Sequence, residues 1–288
     1  MLFERAAPTV VDVRGGAAAT YDTASLSLEA TFGRRWALFF AGGSLFGLDA
    51  AAGIRRRVLE EGGGHRPFRH PMKVAPVSGA ALFDLPRQGN LLPDYRALGW
   101  GAARRATDRP VPMGSVGAGA GATVGKYFGR RTASPGGLGS ASVRIPRVGG
   151  VGAIAVVNAV GAIRDPSNGR WVAGARAPGG EVRPPPIHLV GRYPPADLPS
   201  GTNLVAVVTD ARLTRPELAR VAILAQTGLA RCVVPTNTAT DGDVVFAAST
   251  ARGEGGQTGA RPGELADMVG AIAAQLVVTA VLRAVERG

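Results

Sequence analysis

The apolar positions of this chain form short unbroken runs that predict buried strands. The runs are rich in Val, Ala and Phe and are bounded by Gly, Pro, Asp or Asn. A continuous apolar run between turn-forming residues is typical of a strand that is covered on both faces. The runs predict strands at Thr9–Val13, Trp36–Phe40, Val151–Gly161, Asn203–Ala211 and Asp243–Thr250.

Three further segments carry the signals of helices. Residues 213–230 have Thr214 as the N-cap and Glu217 at the capping-box position. Residues 263–288 are apolar nearly all round, which predicts a well-buried helix. Residues 44–62 begin with a capping Ser and end at a Gly, and their helix depends on an apolar stripe formed by Leu45, Leu48, Ile54 and Leu59.

Two long segments lack periodicity. Residues 63–112 are predicted to be mostly loop, with one apolar piece, "AALFDL". Residues 163–201 are polar, are rich in Pro, Gly and Arg, and include "RPPP". Such a composition predicts an exposed linker over residues 163–201, directly before the strand that begins near Asn203.

The net charge of +12 does not predict a nucleic-acid-binding protein. Of the 33 basic residues only Lys73 and Lys126 are Lys, and the Arg residues are scattered without interleaved aromatic residues. A nucleic-acid-binding surface needs a focused basic face. The charge is therefore interpreted as part of a general enrichment in Arg, Ala, Gly and Pro.

The chain is expected to be cytoplasmic and to associate with no membrane. Cys232 is the single cysteine, so an intramolecular disulfide is excluded. The first residues include Glu4 and lack the long apolar core of a signal peptide. The apolar stretch near the C-terminus contains Gln275 and is interpreted as too short to span a bilayer.

Conventional catalytic and metal-binding motifs are weak. The chain has three His, at His65, His70 and His188, and no pair of them has metal-ligand spacing on a helix. Near-matches to the nucleophile elbow, the P-loop and the dinucleotide-binding loop each lack a defining residue, so their glycines are interpreted as backbone-shaping. We therefore expect no metal and no cofactor.

Thr202 follows Gly201 where the predicted linker meets the predicted strand. A Thr hydroxyl needs an adjacent base to act as a nucleophile, and an N-terminal Thr supplies its own α-amine. An internal Thr becomes N-terminal if its hydroxyl attacks the preceding carbonyl and the resulting ester hydrolyses. An unhindered Gly before it and a rigid strand after it favour that reaction. The alternative is an ordinary turn, since Ser, Gly, Thr and Asn are all turn formers.

Four other residues are candidates for chemistry. Lys126 is a rare Lys in a chain that uses Arg elsewhere, which indicates either a titratable ammonium or a site too small for guanidinium. Asn158 lies in an apolar strand, where its amide needs partners and could stabilise an oxyanion. Asp241 and Asp243 enter a strand two residues apart and form either a carboxylate pair or a solvated turn.

Taken together, seven segments resemble the family of L-aminopeptidase D-amidase/esterases and β-peptidyl aminopeptidases. That family also contains 6-aminohexanoate-oligomer (nylon) hydrolases and a pantetheine-amide hydrolase. The segments occur in the family's order and cover most of the chain: "GGSLFGLDAA", "VSGAALFDL", "GSVGAGAGATVGK", "GGLGSAS", "AVVNAVG", "NLVAVVTDARLT" and "DGDVVFA".

The resemblance implies an α+β fold, a four-layer αββα sandwich of the N-terminal-nucleophile-hydrolase type. It implies a single domain over residues 1–288, self-cleaved between Gly201 and Thr202 into residues 1–201 and residues 202–288. It also implies a homotetramer or a larger homo-oligomer. The family's motif residues map onto Thr202 as nucleophile, onto Lys126, Asn158, Asp241 and Asp243 as catalytic residues, and onto Phe83 and Asn203 in the substrate pocket. Some members have Tyr at the position of Phe83, and many have Thr or Ser at that of Asn203.

The implied activity is the hydrolysis of a small peptide or amide, of the aminopeptidase or amidase type. The Thr202 hydroxyl would attack the amide carbonyl, its amine would take the proton, and Asn158 with a backbone N–H would hold the oxyanion. The sequence leaves open an endo-acting nylon hydrolase, a pantetheine-amide hydrolase, an acyltransferase on the same fold, and an unprocessed assembly protein without enzymatic activity.

Overall fold

The computed structural model describes residues 1–85, 92–146, 148–186, 200–252, 261 and 263–286. Over these residues the strands are β1 Leu2–Val13, β2 Ala19–Tyr21, β3 Arg34–Ala41, β4 Val77–Ala81, β5 Thr123–Val124, β6 Ser134–Pro135, β7 Gly137–Ile145, β8 Gly149–Asn158, β9 Ala162–Arg164, β10 Trp171–Ala173, β11 Ala175–Arg176, β12 Val182–Arg183, β13 Thr202–Thr209, β14 Val233–Val234 and β15 Val244–Ser249.

Four α-helices accompany the strands in the same residues. They are α1 Ala50–Glu60, α2 Tyr95–Arg104, α3 Arg215–Cys232 and α4 Glu264–Glu286. Short 3₁₀ turns lie at Ala24–Leu26, Ser44–Asp49, Pro67–Arg69, Gly117–Gly119, Lys126–Phe128 and Arg130–Thr132.

Eight strands form one continuous hydrogen-bonded sheet, which we call the ladder, in the order β2-β4-β3-β1-β15-β13-β8-β7. The strand β1 joins two halves of this ladder, because its first part pairs with β3 and residues Thr9–Val13 pair with β15. Next to β15, β13 runs parallel to it and antiparallel to β8. Both edges of β13 are therefore hydrogen-bonded to neighbouring strands, and this pairing fixes the position of its first residue, Thr202.

Alternate residues of the central strands face two different cores. The outer core lies between α3, α4 and the strands, and the inter-sheet core lies between the two halves of the ladder. In β13, Val205 and Val207 belong to the outer core, whereas Leu204 and Ala206 belong to the inter-sheet core. This is the two-residue period of a strand that is covered on both faces.

A third core completes the layers, between α1, α2 and the half of the ladder that contains β3 and β4. Within β3, Ala37 and Phe39 face this third core, whereas Leu38 packs in the inter-sheet core. The order of layers is helices, strands, strands, helices. The expected αββα sandwich is confirmed.

The helix α4 packs closely on β7 and on α3 through glycines. A Cβ added at Gly139 would lie 1.9 Å from the carbonyl oxygen of Ala280, and one added at Gly228 would lie 2.3 Å from that of Ala274. A side chain at either position would force the backbones apart. The Gly-rich segment "GGLGSAS" therefore forms part of a strand, β7, that the sequence analysis did not assign.

The apolar C-terminal segment is longer than the sequence analysis allowed. By length and composition the helix Glu264–Glu286, with 23 residues and a mean hydropathy of 2.0, could cross a membrane, so the expectation that it is too short is wrong. Most of its apolar side chains are buried, with Val269, Val277 and Val281 fully inside the outer core. The packing of this helix is that of a core helix.

The segment expected as an exposed linker, residues 163–201, differs from the structure in its first part. Residues 162–164 form β9, which pairs with β10 and β14, and Ile163 and Ala175 are fully buried. The sequence pattern missed these elements because each strand is only two or three residues long and lies between Gly and Pro residues. Residues 187–199 of the expected linker lie outside the described residues.

Candidate active site

The side chains of Thr202 and Asn158 lie opposite each other at the same end of the central strands. The two residues are register partners in the antiparallel pair of β13 and β8. Both are buried, and by the two-residue period both face the inter-sheet core, as Leu204 and Val156 do. The structure therefore brings the expected nucleophile and the expected amide together.

The hydroxyl of Thr202 lies against the peptide bond expected to be cut. Its Oγ1 donates to the carbonyl oxygen of Gly201 at 2.5 Å. The same carbonyl oxygen accepts a hydrogen bond from the main-chain N–H of Gly242 at 3.0 Å. An attack on the Gly201 carbonyl carbon would move negative charge onto this oxygen, and a fixed backbone donor is already directed at it.

Lys126 is almost completely buried and is bound to three oxygen atoms. Its Nζ donates to the main-chain oxygen of Asn158 at 2.8 Å, to Oδ1 of Asn158 at 2.7 Å and to the main-chain oxygen of Ser200 at 3.2 Å. Three acceptors match the three N–H groups of an ammonium. Burial opposes this charge and lowers the pKa of Lys126 to about 7, so that the group titrates near neutrality.

The 3₁₀ turn that starts at Lys126 follows a glycine in the left-handed region. Gly125 has a φ of 78°, and its N–H bonds to the carbonyl oxygen of Gly161. A Cβ at Gly125 would also lie 2.1 Å from the main-chain nitrogen of Ala175. The Gly before Lys126 therefore lets the chain turn sharply enough to bring the ammonium to the end of β8.

The carboxylate of Asp241 lies beside Gly201. Gly201 and Asp241 form a parallel bridge, and Oδ1 of Asp241 accepts from the N–H of Val160 at 3.3 Å. Its Oδ2 accepts from the hydroxyl of Thr238 at 2.7 Å. Burial, followed by the charge of Asp243, raises the pKa of Asp241 to about 6.

The carboxylate of Asp243 accepts four hydrogen bonds. Its Oδ1 accepts from the main-chain and side-chain nitrogens of Asn203 at 2.7 and 2.9 Å. Its Oδ2 accepts from the hydroxyl of Thr236 at 2.6 Å and from the N–H of Asn237 at 2.7 Å. The buried Asp243 carboxylate thus fixes the start of β13 through Asn203, and its four hydrogen bonds hold the carboxylate itself in one orientation.

Asn203 does not lie where the sequence analysis placed it. The residue is fully buried, and it faces the outer core side of β13 with Val205, whereas Thr202 faces the inter-sheet core. Because neighbouring residues of a strand point to opposite faces, Asn203 cannot line the same pocket as the Thr202 hydroxyl. It binds Asp243, so its contribution is to the position of the strand.

Phe83 lies at the site, and its main chain is directly involved. Its carbonyl oxygen accepts from Nδ2 of Asn158 at 3.1 Å, and its side chain is 40% exposed. The amide that was expected to stabilise an oxyanion is therefore bound to Phe83 in this structure. Oδ1 of Asn158 also accepts from the N–H of Thr123 at 3.0 Å, which fixes the orientation of the amide.

Two charged residues near Lys126 were missed by the sequence analysis. The guanidinium of Arg130 lies 5.7 Å from the centre of the Phe83 ring, donates to the main-chain oxygen of Leu85 at 3.2 Å, and lowers the pKa of Lys126. Asp84, whose Oδ1 accepts from the N–H of Gly43 at 2.6 Å, acts on that pKa in the opposite direction. The signal for Asp84 was its place beside Phe83 in the matched segment "VSGAALFDL", whereas Arg130 lies beyond the matched segment that ends at Lys126.

Residues 209–211 of the matched segment "NLVAVVTDARLT" have a structural role at the other end of β13. The hydroxyl of Thr209 donates to the carbonyl oxygen of Gly150 and accepts from the N–H of Ala211. The carboxylate of Asp210 accepts from the N–H of Gly150 at 2.6 Å. These bonds close the end of the sheet away from Thr202.

The whole chain matches a known family, over residues 1–288: peptidase family S58. It belongs to that family. A protein of Mycobacterium tuberculosis described as an uncharacterized aminopeptidase is 36% identical to this chain over an alignment of 289 positions. The alignment covers 96% of this chain and 81% of that protein. A 6-aminohexanoate-oligomer endohydrolase of Kocuria sp. is 31% identical, over 96% of this chain and 77% of that protein.

Solved structures show the same fold. The L-aminopeptidase D-Ala-esterase/amidase of Ochrobactrum anthropi, described as a variant of the Ntn hydrolase fold, superposes with a TM-score of 0.58 at 19% identity, over 97% of this chain and 72% of that one. The expected family and fold are confirmed. The chain is a hydrolase of peptide or amide bonds.

Proposed function

We propose that this S58 member is a self-cleaving amidase of the aminopeptidase type, whose nucleophile is an N-terminal Thr202. The observation that carries the proposal is the contact between the Thr202 hydroxyl and the Gly201 carbonyl, whose oxygen is also held by the N–H of Gly242. The cut would divide the chain into residues 1–201 and 202–288.

Self-cleavage starts with transfer of the Gly201 acyl group from nitrogen to oxygen. A bond forms between Oγ1 of Thr202 and the carbonyl carbon of Gly201, and the bond from that carbon to the Thr202 nitrogen breaks. The hydroxyl proton ends on that nitrogen. Lys126 and Asp241 flank the peptide and have pKa values of about 7 and about 6, so both can exchange protons near neutral pH. Water then hydrolyses the ester.

The cut also uncovers the nucleophile. In the intact chain Thr202 is only 3% exposed, and the chain before it occupies the site through the bond from Lys126 to Ser200. When that segment leaves, the Thr202 amine remains beside the carboxylate of Asp241, and Lys126 loses one acceptor. The free α-amine then serves as the base for attack on an external amide.

The substrate class of the proposed enzyme is a small peptide or amide. An endo-acting hydrolase of 6-aminohexanoate oligomers is the second candidate, because relatives that carry that name match 96% of this chain at 31–32% identity. A homotetramer or larger homo-oligomer, without nucleic acid or membrane, and a cytoplasmic location remain part of the proposal.

One experiment tests the cut and the activity together. The purified protein is expected to give two bands on a denaturing gel, and the smaller fragment should begin Thr-Asn-Leu-Val. Thr202→Ala should remain a single chain without amidase activity, and Thr202→Ser should still be cut. The matched control is Thr227→Ala, which changes an exposed Thr of α3 and should be cut like the wild type. An uncut wild-type chain that hydrolyses amides would contradict the proposal.

A further inference from the structure

The two acidic residues of the site are both bound by one short segment that precedes them. The hydroxyl of Thr238 donates to Oδ2 of Asp241 at 2.7 Å, and the N–H of Thr238 donates to the same oxygen at 3.2 Å. The hydroxyl of Thr236 donates to Oδ2 of Asp243 at 2.6 Å, and the N–H of Asn237 donates to that oxygen at 2.7 Å. Each carboxylate thus receives one hydroxyl and one N–H on its Oδ2.

The backbone of this segment separates the two sets of bonds. Asn237 has a φ of 57°, in the left-handed region that Asn adopts more readily than most residues. The chain turns there, so the N–H of Asn237 and that of Thr238 are directed at different carboxylates. The carbonyl oxygen of Thr238 accepts from the N–H groups of Asp241 and Gly16, at 3.2 and 3.1 Å. Thr238 is therefore held through its main chain, independently of its hydroxyl.

The two carboxylates differ in what their Oδ1 atoms face. Oδ1 of Asp243 accepts two hydrogen bonds from Asn203. Oδ1 of Asp241 accepts from the N–H of Val160 at 3.3 Å, and it lies against Gly201, since a Cβ built on that glycine would come within 2.4 Å of it. Asp241 therefore presents one oxygen to the residue before the proposed cut, while its other oxygen is bound by the preceding segment.

We infer that Thr238 is a positioning residue for self-cleavage. Its hydroxyl holds Oδ2 of Asp241, and Oδ1 is thereby kept against Gly201 in the orientation that the reaction uses. The inference rests on the proposed function, in which Asp241 exchanges a proton beside the cut. Thr236 makes the matched contact to Asp243, but that carboxylate holds the start of β13, so the Thr236 hydroxyl is expected to contribute to stability and not to the chemistry.

The same hydrogen bond affects how Asp241 titrates. Burial, followed by the charge of Asp243, raises the pKa of Asp241 to about 6, and the bonds from Thr238 oppose this rise. The charged groups around the carboxylate are Asp243 on its own segment and Lys126 on the 3₁₀ turn, and the cut adds the amine of Thr202. Removal of the Thr238 hydroxyl therefore raises the pKa of Asp241 further. The cut, which uses the ionised carboxylate, should then need a higher pH.

Self-cleavage of the full chain, made by cell-free translation, tests this role. The new chain is transferred at once to buffers on both sides of pH 6, and its fragments are followed on denaturing gels. Thr238→Ala is expected to be cut about tenfold more slowly than the wild type, with the acid-side midpoint of its rate raised by about one pH unit. Thr238→Ser keeps the hydroxyl and should restore both the rate and the midpoint. Thr236→Ala is the matched control and should keep the wild-type midpoint.

The outcomes separate this inference from the proposed function. A wild-type chain that is not cut would overturn both. If the wild type is cut, an unchanged rate or an unchanged midpoint in Thr238→Ala would overturn the inference and leave the self-cleaving amidase intact. A slowed cut that Thr238→Ser does not restore would also overturn it, and thermal unfolding of Thr238→Ala in the Thr202→Ala background then shows whether the fold was affected.

Discussion

The ammonium of Lys126 binds both oxygen atoms of Asn158, with 2.7 Å to the side chain and 2.8 Å to the main chain. The two residues are 32 positions apart. The pair connects the end of β8 to the peptide before Thr202, because the third bond of Lys126 goes to Ser200. A single buried cation thus holds the strand end, the amide and the peptide before the proposed cut in one arrangement.

Replacement of Lys126 by Arg is expected to lower turnover or self-cleavage at least about tenfold. The side chain is 1% exposed and has three acceptors at short distances, so a larger planar group does not fit. The control is Lys73→Arg, because Lys73 is exposed and donates to the carbonyl oxygen of Gly62. Gel densitometry and amidase assays measure the two rates, and equal small effects would contradict the role of Lys126.

Substitution by Asn is expected to have different effects at Asp241 and at Asp243. Each carboxylate oxygen of Asp243 accepts from two donors, and in Asp243→Asn one of these oxygens becomes an NH2 group that cannot accept. The hydrogen bonds lost in this way should lower the free energy of unfolding by about 1–3 kcal/mol. Asp241→Asn should slow self-cleavage with a smaller loss of stability, because the raised pKa of Asp241 shows that its charge is already disfavoured. Urea unfolding in the Thr202→Ala background gives the stabilities, and equal losses would contradict this division.

The N–H of Gly242 is expected to matter for the cut. A Cβ at Gly242 would lie 2.9 Å from Oγ1 of Thr202, so Gly242→Ala should displace the hydroxyl or the N–H donor and slow self-cleavage by at least about tenfold. Gly179→Ala is the control, because a Cβ there meets no atom of the described residues within 4 Å. If both variants are cut at the wild-type rate, self-cleavage does not depend on the hydrogen bond from the N–H of Gly242 to the oxygen of Gly201.

The stability of the uncut Thr202→Ala chain should have a minimum near pH 6–7. The pKa of Asp241 is raised from 3.8 to about 6 on folding, so its contribution falls as the pH rises through that range. The pKa of Lys126 is lowered from 10.5 to about 7, so its contribution grows as the pH rises from about 7 to 10.5. Each group contributes a slope of at most about 1.4 kcal/mol per pH unit.

Two further substitutions assign the two slopes. Asp241→Asn should remove the fall on the acid side. Lys126→Met should remove the rise above about pH 8, because below that pH the buried α-amine of Met1, whose pKa is lowered from 8.0 to about 6, adds a rise of its own. Chemical unfolding at a series of pH values measures both, and a profile that neither substitution changes would show that other groups cause it.

The sequence by itself determined the elements whose pattern is local. The capping box of Thr214 and Glu217 predicted the start of α3 and is present, and the apolar runs predicted β13 and β15. The stripe assigned to residues 44–62 was less accurate, since α1 begins only at Ala50 and Leu45 is 68% exposed. Ser44–Asp49 form a 3₁₀ turn instead, and the pattern of apolar residues does not distinguish that turn from a helix.

The tertiary structure decided the elements with weak local signals. The strand β4, Val77–Ala81, and the helix α2, Tyr95–Arg104, lie in a region that was predicted to be mostly loop. Both are rich in Gly and Ala, which carry little periodic signal, and both are stabilised by long-range packing. The segment β4 is buried by pairing with β3 and β2.

The candidate site shows the same division. The matched segments predicted that Thr202, Lys126, Asn158, Asp241 and Asp243 belong to one site. In the structure the first four lie together at residues 200–202, and Asp243 binds Asn203 next to them. Only the register of the sheet decided that Asn203 faces away from Thr202, and only the close approach of Asp241 and Val160 decided that residue 201 has no space for a side chain. Which atoms meet across the fold is set by distances between distant parts of the chain, and the sequence pattern does not encode those distances.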